Sequence, residues 1–420
     1  MTGQEDRAAF RQIPYMGVIY VVAEAMKLGF TNGHPDWCNL GQGQPEVGDM
    51  PGAPARISSI ELSPSDHAYG PVGGTFELRE AIADTMNRLH RSGCDSRYTA
   101  DNVSVAAGGR LALSRAFAAL DAVTVGHQIP DYTAYQDMIA AHQHRFTPVL
   151  VPAYEEDDFK IPAERFDRVV RDLGMGAFVI SNPCNPTGAV IQGEELASYL
   201  STARERSCTL ILDEFYSHFI YDADGNPGPG PVSGARHVED IETDPVILID
   251  GLTKSHRYPG WRIGWAVGPR AMIEILNRAA SAIDGGPSQP MQRVALQALE
   301  STRADQETSA LREVFCRKRN LMVARLREMG IRCAPETEGT FYVWACLADL
   351  PAPLDDGMSF FRAALEHRVM TVPGVFFDVN PGDRRRAPSP FRQWMRFSFG
   401  PPEDNVRMGL DRLGAMIASH

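Results

Sequence analysis

Short apolar runs alternate with amphipathic stretches through the middle of the chain. Three of these runs are continuously apolar, as strands buried on both faces of a sheet are, and they lie at residues 177–180, 209–212 and 246–249. Between the first two, residues 193–207 carry acidic side chains early and arginines late, an order that favours a helix. Strand, helix and strand in succession predict an α/β fold with a parallel sheet.

The pattern changes after about residue 298. Residues 311–329 predict a long amphipathic helix, and residues 341–344 and 394–399 predict strands of a smaller α+β unit. Between two strands of the first unit, the glycine- and proline-rich residues 222–234 predict an inserted loop.

Reactive or polar groups follow each of the three apolar runs. The following segments are residues 182–188 with an amide at Asn185, residues 213–216 with a carboxylate and a phenol, and residues 250–254 with a lysine. Because ligands bind at the carboxyl ends of parallel strands, three such endings together predict a site.

These groups suit pyridoxal phosphate as a cofactor. Lys254 can form a Schiff base with an aldehyde, and Asp213 can keep a pyridine nitrogen protonated. Asn185 and Tyr216 can hydrogen-bond a ring oxygen.

A phosphate cradle is predicted at two places. Gly108, Gly109 and Arg110 stand between a strand pattern and a helix start, a turn that directs backbone N–H groups at an anion. Arg262, a short distance past the lysine, can clamp a phosphate with two hydrogen bonds.

The segment KSHRYPGWRIG at residues 254–264 resembles the lysine motif of the class I/II aminotransferases, which are fold-type I pyridoxal-phosphate enzymes. The resemblance continues, in the order that the family has, from about residue 40 to residue 400. Its further matches are Gly43-Gln44-Pro45, Tyr69-Gly70, Asn185-Pro-Thr-Gly188, Asp213 with Tyr216, and Arg396.

This resemblance implies the architecture and the domains. The expected fold is a mostly parallel, seven-stranded type of sheet sandwiched by helices, with a smaller α+β domain beside it. We expect a large cofactor domain over residues 49–298, and a small domain built from residues 1–48 together with 299–420.

The resemblance also implies roles around the cofactor ring. Lys254 forms the Schiff base and moves a proton between the substrate α-carbon and the cofactor. Asp213 pairs with the ring nitrogen, and Asn185 and Tyr216 bond the ring oxygen. Tyr132 stacks on the ring, although a tyrosine near a strand end is also often a packed aromatic.

For the phosphate, the resemblance implies the backbone of Gly108, Gly109 and Arg110 together with Arg262. Tyr69 matches a tyrosine that reaches the phosphate of the neighbouring subunit, so a homodimer with shared active sites is implied. Many relatives also have a phosphate-binding serine three residues before the lysine, where this chain has Gly251. We therefore expect Thr253 or a water molecule to replace the missing hydroxyl.

On the substrate side, Arg396 matches the arginine that binds the α-carboxylate, with Asn185 and Gly43 nearby. Asp284 lies in a segment that often lines the side-chain pocket in the family. If Asp284 faces that pocket, it attracts a cationic side chain and repels an acidic one.

The leading hypothesis is an enzyme that transfers an amino group from an L-amino acid to a 2-oxo acid. The same residues also suit elimination, cyclisation or oxidation of an amino acid, because the cofactor stabilises the carbanion in each case. A transcription factor with an aminotransferase-like domain is a remote alternative, since the segment before residue 40 is too short for a DNA-binding extension.

Composition narrows the classes further. The 420 residues carry 41 basic and 53 acidic side chains, a net charge of −12, which disfavours nucleic acids and anionic membranes as partners. The seven cysteines are scattered, without metal-site or disulfide spacing, and a long apolar run is absent. We expect a cytoplasmic protein without a metal site.

Overall fold

The computed structural model describes residue 15 and residues 17–420. The strands, in chain order, are β1 (Cys38–Asn39), β2 (Val103–Ala106), β3 (Thr124–Ile129), β4 (Thr147–Pro152), β5 (Met175–Ser181), β6 (Thr209–Asp213), β7 (Val246–Gly251), β8 (Gly264–Val267), β9 (Arg332–Cys333), β10 (Tyr342–Cys346), β11 (Val369–Met370), β12 (Val372–Pro373) and β13 (Trp394–Ser398). The α-helices are α1 (Gly17–Lys27), α2 (Phe76–His90), α3 (Gly109–Ala119), α4 (Ala134–His142), α5 (Ala163–Asp172), α6 (Gly193–Arg206), α7 (Arg270–Ile283), α8 (Gln289–Ala298), α9 (Ser301–Glu328), α10 (Gly357–Glu366) and α11 (Glu403–Ala418).

The large sheet contains seven strands in the order β2, β8, β7, β6, β5, β3, β4. Strand β8 runs antiparallel to both of its neighbours, and the other pairs are parallel. The three continuously apolar runs of the sequence lie in β5, β6 and β7, as predicted. Consecutive residues of a strand point to opposite faces, and Leu210–Asp213 are all buried, so both faces of the sheet are covered.

The smaller unit contains a four-stranded antiparallel sheet in the order β12, β13, β10, β9. Strand β1, near the start of the chain, pairs in parallel with β11. The first part of the chain is therefore tied to its last part, in agreement with the predicted small α+β unit. The domain boundaries at residues 49 and 298 stay a prediction.

Helix α9 is longer than predicted and begins at Ser301 rather than near residue 311. The side chain of Glu300 accepts hydrogen bonds from the backbone N–H groups of Thr302 and Arg303, which caps the first turn. The first ten residues are mostly polar, so the apolar periodicity that marks a helix starts only later.

The described residues contain no helix that is both long and apolar enough to span a membrane. None of the seven cysteines, all of which lie in the described part, forms a disulfide.

Candidate active site

A cavity of about 1050 Å³ opens at the carboxyl ends of β5 and β6. Its wall combines the turn before α3, the lysine loop after β7, the segment after β1 and strand β13. Most of the site residues predicted from the sequence line it, namely Gly43, Gly109, Arg110, Tyr132, Asn185, Asp213, Tyr216, Thr253, Lys254, Arg262 and Arg396. The fold therefore brings together groups from both ends and the middle of the chain.

Lys254 projects from the loop after β7 and donates a hydrogen bond from Nζ to the carbonyl oxygen of Gly43. Burial lowers its pKa to about 7, and the positive charge of Arg396 acts in the same direction. At neutral pH a large fraction of the side chain is therefore the unprotonated amine, which can attack an aldehyde or accept a proton.

Asp213 ends strand β6 and is only 5% exposed. Its Oδ2 accepts a 3.0 Å hydrogen bond from the hydroxyl of Tyr135, and its Oδ1 accepts one of 3.4 Å from the backbone N–H of Phe215. Burial raises its pKa to about 6, while these bonds and the charge of Lys254 oppose the rise. This buried carboxylate has no ion-pair partner in the described part of the chain, so it is suited to hold a protonated ring nitrogen.

The turn between β2 and α3 forms a narrow anion cradle. Gly108 has a φ of 93°, and a Cβ on it would lie 2.1 Å from Nη2 of Arg262. A Cβ on Gly109 would lie 2.1 Å from the ring of Phe215. The first N–H groups of α3 have no partners within the helix, and the Arg262 guanidinium lies against the same turn. These donors fit a phosphate group.

Three polar side chains of the cavity are held by their neighbours. The Tyr132 hydroxyl accepts a 2.8 Å bond from Nε of Arg110, and the Tyr216 and Tyr342 hydroxyls lie 2.8 Å apart. Oδ1 of Asn185 accepts a 2.8 Å bond from Nη1 of Arg396. Each group is thereby fixed in the wall before a ligand enters.

Arg396 lies on β13 and is 2% exposed. Its Nη2 donates a 2.9 Å bond to the carbonyl of Gly41, and its guanidinium lies 3.9 Å from the ring centroid of Tyr342. No carboxylate is among its partners in the described part of the chain, so this buried cation is suited to bind the carboxylate of a ligand.

Comparison with known proteins agrees with this geometry. The sequence model of the family "Aminotransferase class I and II" matches residues 35–413. The chain belongs to this family. It is a pyridoxal-phosphate-dependent aminotransferase.

Individual relatives cover most of the aminotransferase. An aspartate aminotransferase of Streptomyces avermitilis is 29% identical over 370 residues, which cover 85% of this chain and 83% of that protein. An aspartate/prephenate aminotransferase of Thermus thermophilus is 28% identical and covers 91% of both chains. The solved structure of aspartate aminotransferase from Thermus thermophilus with maleate matches with a TM-score of 0.78 and 26% identity, over 99% of this chain and 100% of that chain.

Three predicted site residues, Gly108, Asp284 and Tyr69, are not among the residues that line the cavity of this chain. Asp284 follows α7 and forms an ion pair with Arg115, whose Nη2 and Nε lie 2.6 and 2.8 Å from its carboxylate oxygens. The expectation that Asp284 lines the substrate pocket stays a prediction: in this chain its carboxylate is paired with the buried Arg115 and is not part of the cavity lining. Tyr69 is fully exposed, and its contact with a neighbouring subunit stays a prediction.

Steric contacts explain why a glycine stands three residues before Lys254. Gly251 pairs with Gly264 across β7 and β8, and a Cβ at Gly251 would lie 2.6 Å from the carbonyl oxygen of Ile263. A serine cannot enter this position without displacing backbone. The hydroxyl of Thr253, which lines the cavity, is the nearest replacement along the chain.

Sequence analysis missed several residues of the site. Tyr342 falls only within a predicted strand, and the sequence pattern assigns nothing to Ser181, which lines the cavity, or to Tyr135, which contacts Asp213. The aromatic pair Phe30 and Trp37, which also lines the cavity, belongs to none of the sequence motifs. Their contacts depend on partners far along the chain, for which the sequence offers no local signal.

Proposed function

We propose that the aminotransferase moves the amino group of an L-amino acid to a 2-oxo acid, with Lys254 as the group that transfers the proton. The observation that supports this most is the convergence of Lys254, Asp213 and Arg396 on one cavity. When bound, pyridoxal phosphate supplies an aldehyde that reacts with amines and a ring that withdraws electrons.

Lys254 carries the proton that leaves the substrate α-carbon. Its pKa of about 7 makes Nζ able to accept a proton and to release it again near neutral pH. The bond to the Gly43 carbonyl holds Nζ in the cavity, 5.9 Å from the ring centroid of Tyr216.

Arg396 binds the α-carboxylate, and this contact fixes the direction of the reacting bond. Asn185 and Tyr216 would bond the ring oxygen of the bound cofactor, Tyr132 would pack against its ring, and Asp213 would keep its ring nitrogen protonated. The positions of these side chains in the cavity wall support the assignment.

The phosphate would be held by the N–H groups of Gly108, Gly109 and Arg110, by the guanidinium of Arg262 and by the hydroxyl of Thr253. The lack of space at Gly108 supports this part of the proposal, since a Cβ there would collide with the guanidinium of Arg262.

We propose a homodimer in which Tyr69 contacts the phosphate site of the second copy. Tyr69 is fully exposed, and Leu62 and Phe76 are two further large apolar side chains exposed in the same part of the chain. Sedimentation should show twice the mass of the chain. Sedimentation of Tyr69→Phe should give the same mass, whereas its cofactor binding should be weaker.

The unpaired cysteines support a cytoplasmic location.

Reduction of the holoenzyme with borohydride tests the central assignment. The expected result is covalent cofactor on the peptide that contains Lys254, and loss of the yellow colour after Lys254→Ala. Lys160→Ala, which removes a lysine outside the cavity, is the matched control. Covalent cofactor on another lysine would contradict the proposal.

A further inference from the structure

Asp131 is a buried carboxylate to which the proposed function gives no task. It follows β3, is 0% exposed and lies outside the cavity lining. Its oxygens accept bonds from the Ser181 hydroxyl at 2.5 Å, the Ser181 backbone N–H at 3.4 Å and the Tyr132 backbone N–H at 2.7 Å. These donors are uncharged, and a carboxylate buried without a cation is costly, so its presence needs a reason.

Ser181 links this carboxylate to the cavity. It ends β5 and is 2% exposed, and its single hydroxyl proton is donated to Asp131. The oxygen therefore turns its lone pairs toward the backbone N–H of Asn185, which donates to it at 3.1 Å. Asp131 thus fixes the direction of a hydroxyl that holds Asn185 in place.

Asn185 extends the chain of bonds to the arginine of the site. Its side-chain oxygen accepts from Arg396, and Arg396 is held on its other side by Gly41. Asp131 is therefore connected to the guanidinium through Ser181 and Asn185: Ser181 binds the backbone N–H of Asn185, and Arg396 binds its side-chain oxygen.

We propose that Asp131, acting through Ser181, is a positioning residue that sets Asn185 and thereby Arg396 for the amino-acid substrate. This inference rests on the proposed function, in which Asn185 and Arg396 contact the ring and the α-carboxylate. Without the hydroxyl, the Asn185 backbone loses a buried partner and its side chain no longer has a fixed position.

The chain offers a matched control for a purely structural effect. Ser233 donates a 2.5 Å bond to the buried carboxylate of Glu214 and accepts a 3.1 Å bond from the backbone N–H of Ala235. Burial raises the pKa of both Glu214 and Asp131 to about 8. None of the three residues of this control cluster lines the cavity.

The experiment compares Ser181→Ala, Ser181→Thr, Asp131→Asn and Ser233→Ala as holoenzymes. We expect Ser181→Ala to raise KM for the amino donor about tenfold, the equivalent of one buried hydrogen bond, and to move the pH at which the bound cofactor changes colour. Ser181→Thr should have the wild-type KM and the wild-type colour midpoint, because threonine keeps the hydroxyl. Ser233→Ala should lower only the Tm.

The inference is overturned if Ser181→Ala lowers the Tm as Ser233→Ala does, with KM and the colour midpoint unchanged. If Ser181→Ala does not fold, Asp131→Asn decides: it should raise KM for the amino donor and move the colour midpoint, and wild-type values of both would overturn the inference. Arg396→Lys separates this inference from the proposed function. An unchanged KM in Arg396→Lys refutes the role of Arg396 itself, whereas a raised KM there with normal Ser181 variants refutes only the positioning role.

Discussion

The hydrogen bond from Tyr135 to Asp213 offers a direct test of the electrostatics of the site. Tyr135→Phe removes one hydroxyl and keeps the ring, which is fully buried and packs edge-on against Tyr132. The lost bond is 3.0 Å long and has a carboxylate as acceptor. Bonds to charged groups contribute about 1.5–3 kcal/mol, which corresponds to a loss of roughly 10- to 150-fold in cofactor affinity.

The pH dependence gives the sign of this effect. Burial raises the pKa of Asp213 to about 6, and the bond from Tyr135 opposes that rise. Without the bond the pKa moves higher, so a smaller fraction of Asp213 is ionised at neutral pH. Cofactor affinity of the apo protein should fall as the pH drops through about 6 in the wild type, and at a higher pH in the variant.

The assay is titration of the apo protein with pyridoxal phosphate across a pH series. Tyr199→Phe is the matched control, because Tyr199 is also fully buried and donates to a backbone carbonyl, that of Ile161, away from the cavity. It should lower the Tm and leave cofactor affinity unchanged. If Tyr135→Phe had the wild-type cofactor affinity and an unshifted pH midpoint, the bond from Tyr135 would not be what keeps Asp213 ionised.

Further predictions concern the steric fit at Gly251 and the ion pair of Asp284. Gly251→Ser should lower the stability by about 2–3 kcal/mol, read as a lower Tm, because its Cβ meets backbone atoms of Ile263 and Gly264; an unchanged Tm would contradict this. Asp284→Asn should lower the Tm, because it leaves the buried Arg115 without its anionic partner. The same variant should keep the wild-type ratio of kcat/KM between cationic and acidic amino acids, and a changed ratio would place Asp284 in the substrate site after all.

The large sheet could be predicted from the sequence because strands buried on both faces leave continuous apolar runs, as at residues 177–180. Residues at the ends of those runs, such as Asp213 and Lys254, could be placed together because parallel strands end at the same edge. The chemistry of these residues indicates the cofactor, and the motif around Lys254 indicates the family. For these elements, local pattern and sheet geometry point to the same answer.

Other contacts could not be predicted because they depend on register and on side-chain direction between distant segments. Tyr135 reaches Asp213 across 78 positions of the chain, and Asp131 reaches Ser181 across 50. The segment of Asp284 resembles one that often lines the side-chain pocket in the family, yet in this chain its carboxylate forms an ion pair with Arg115 on α3. The start of α9 was missed because a capped polar turn lacks apolar periodicity.

The most direct test of the account is a single-turnover experiment with the holoenzyme, an amino acid and no added 2-oxo acid. A panel that contains aspartate and aromatic amino acids covers substrates named in the relatives. The expected result is one equivalent of 2-oxo acid per subunit, no ammonia, and no product from Lys254→Ala. Continuous release of ammonia or uptake of oxygen would contradict amino-group transfer and favour elimination or oxidation at the same site.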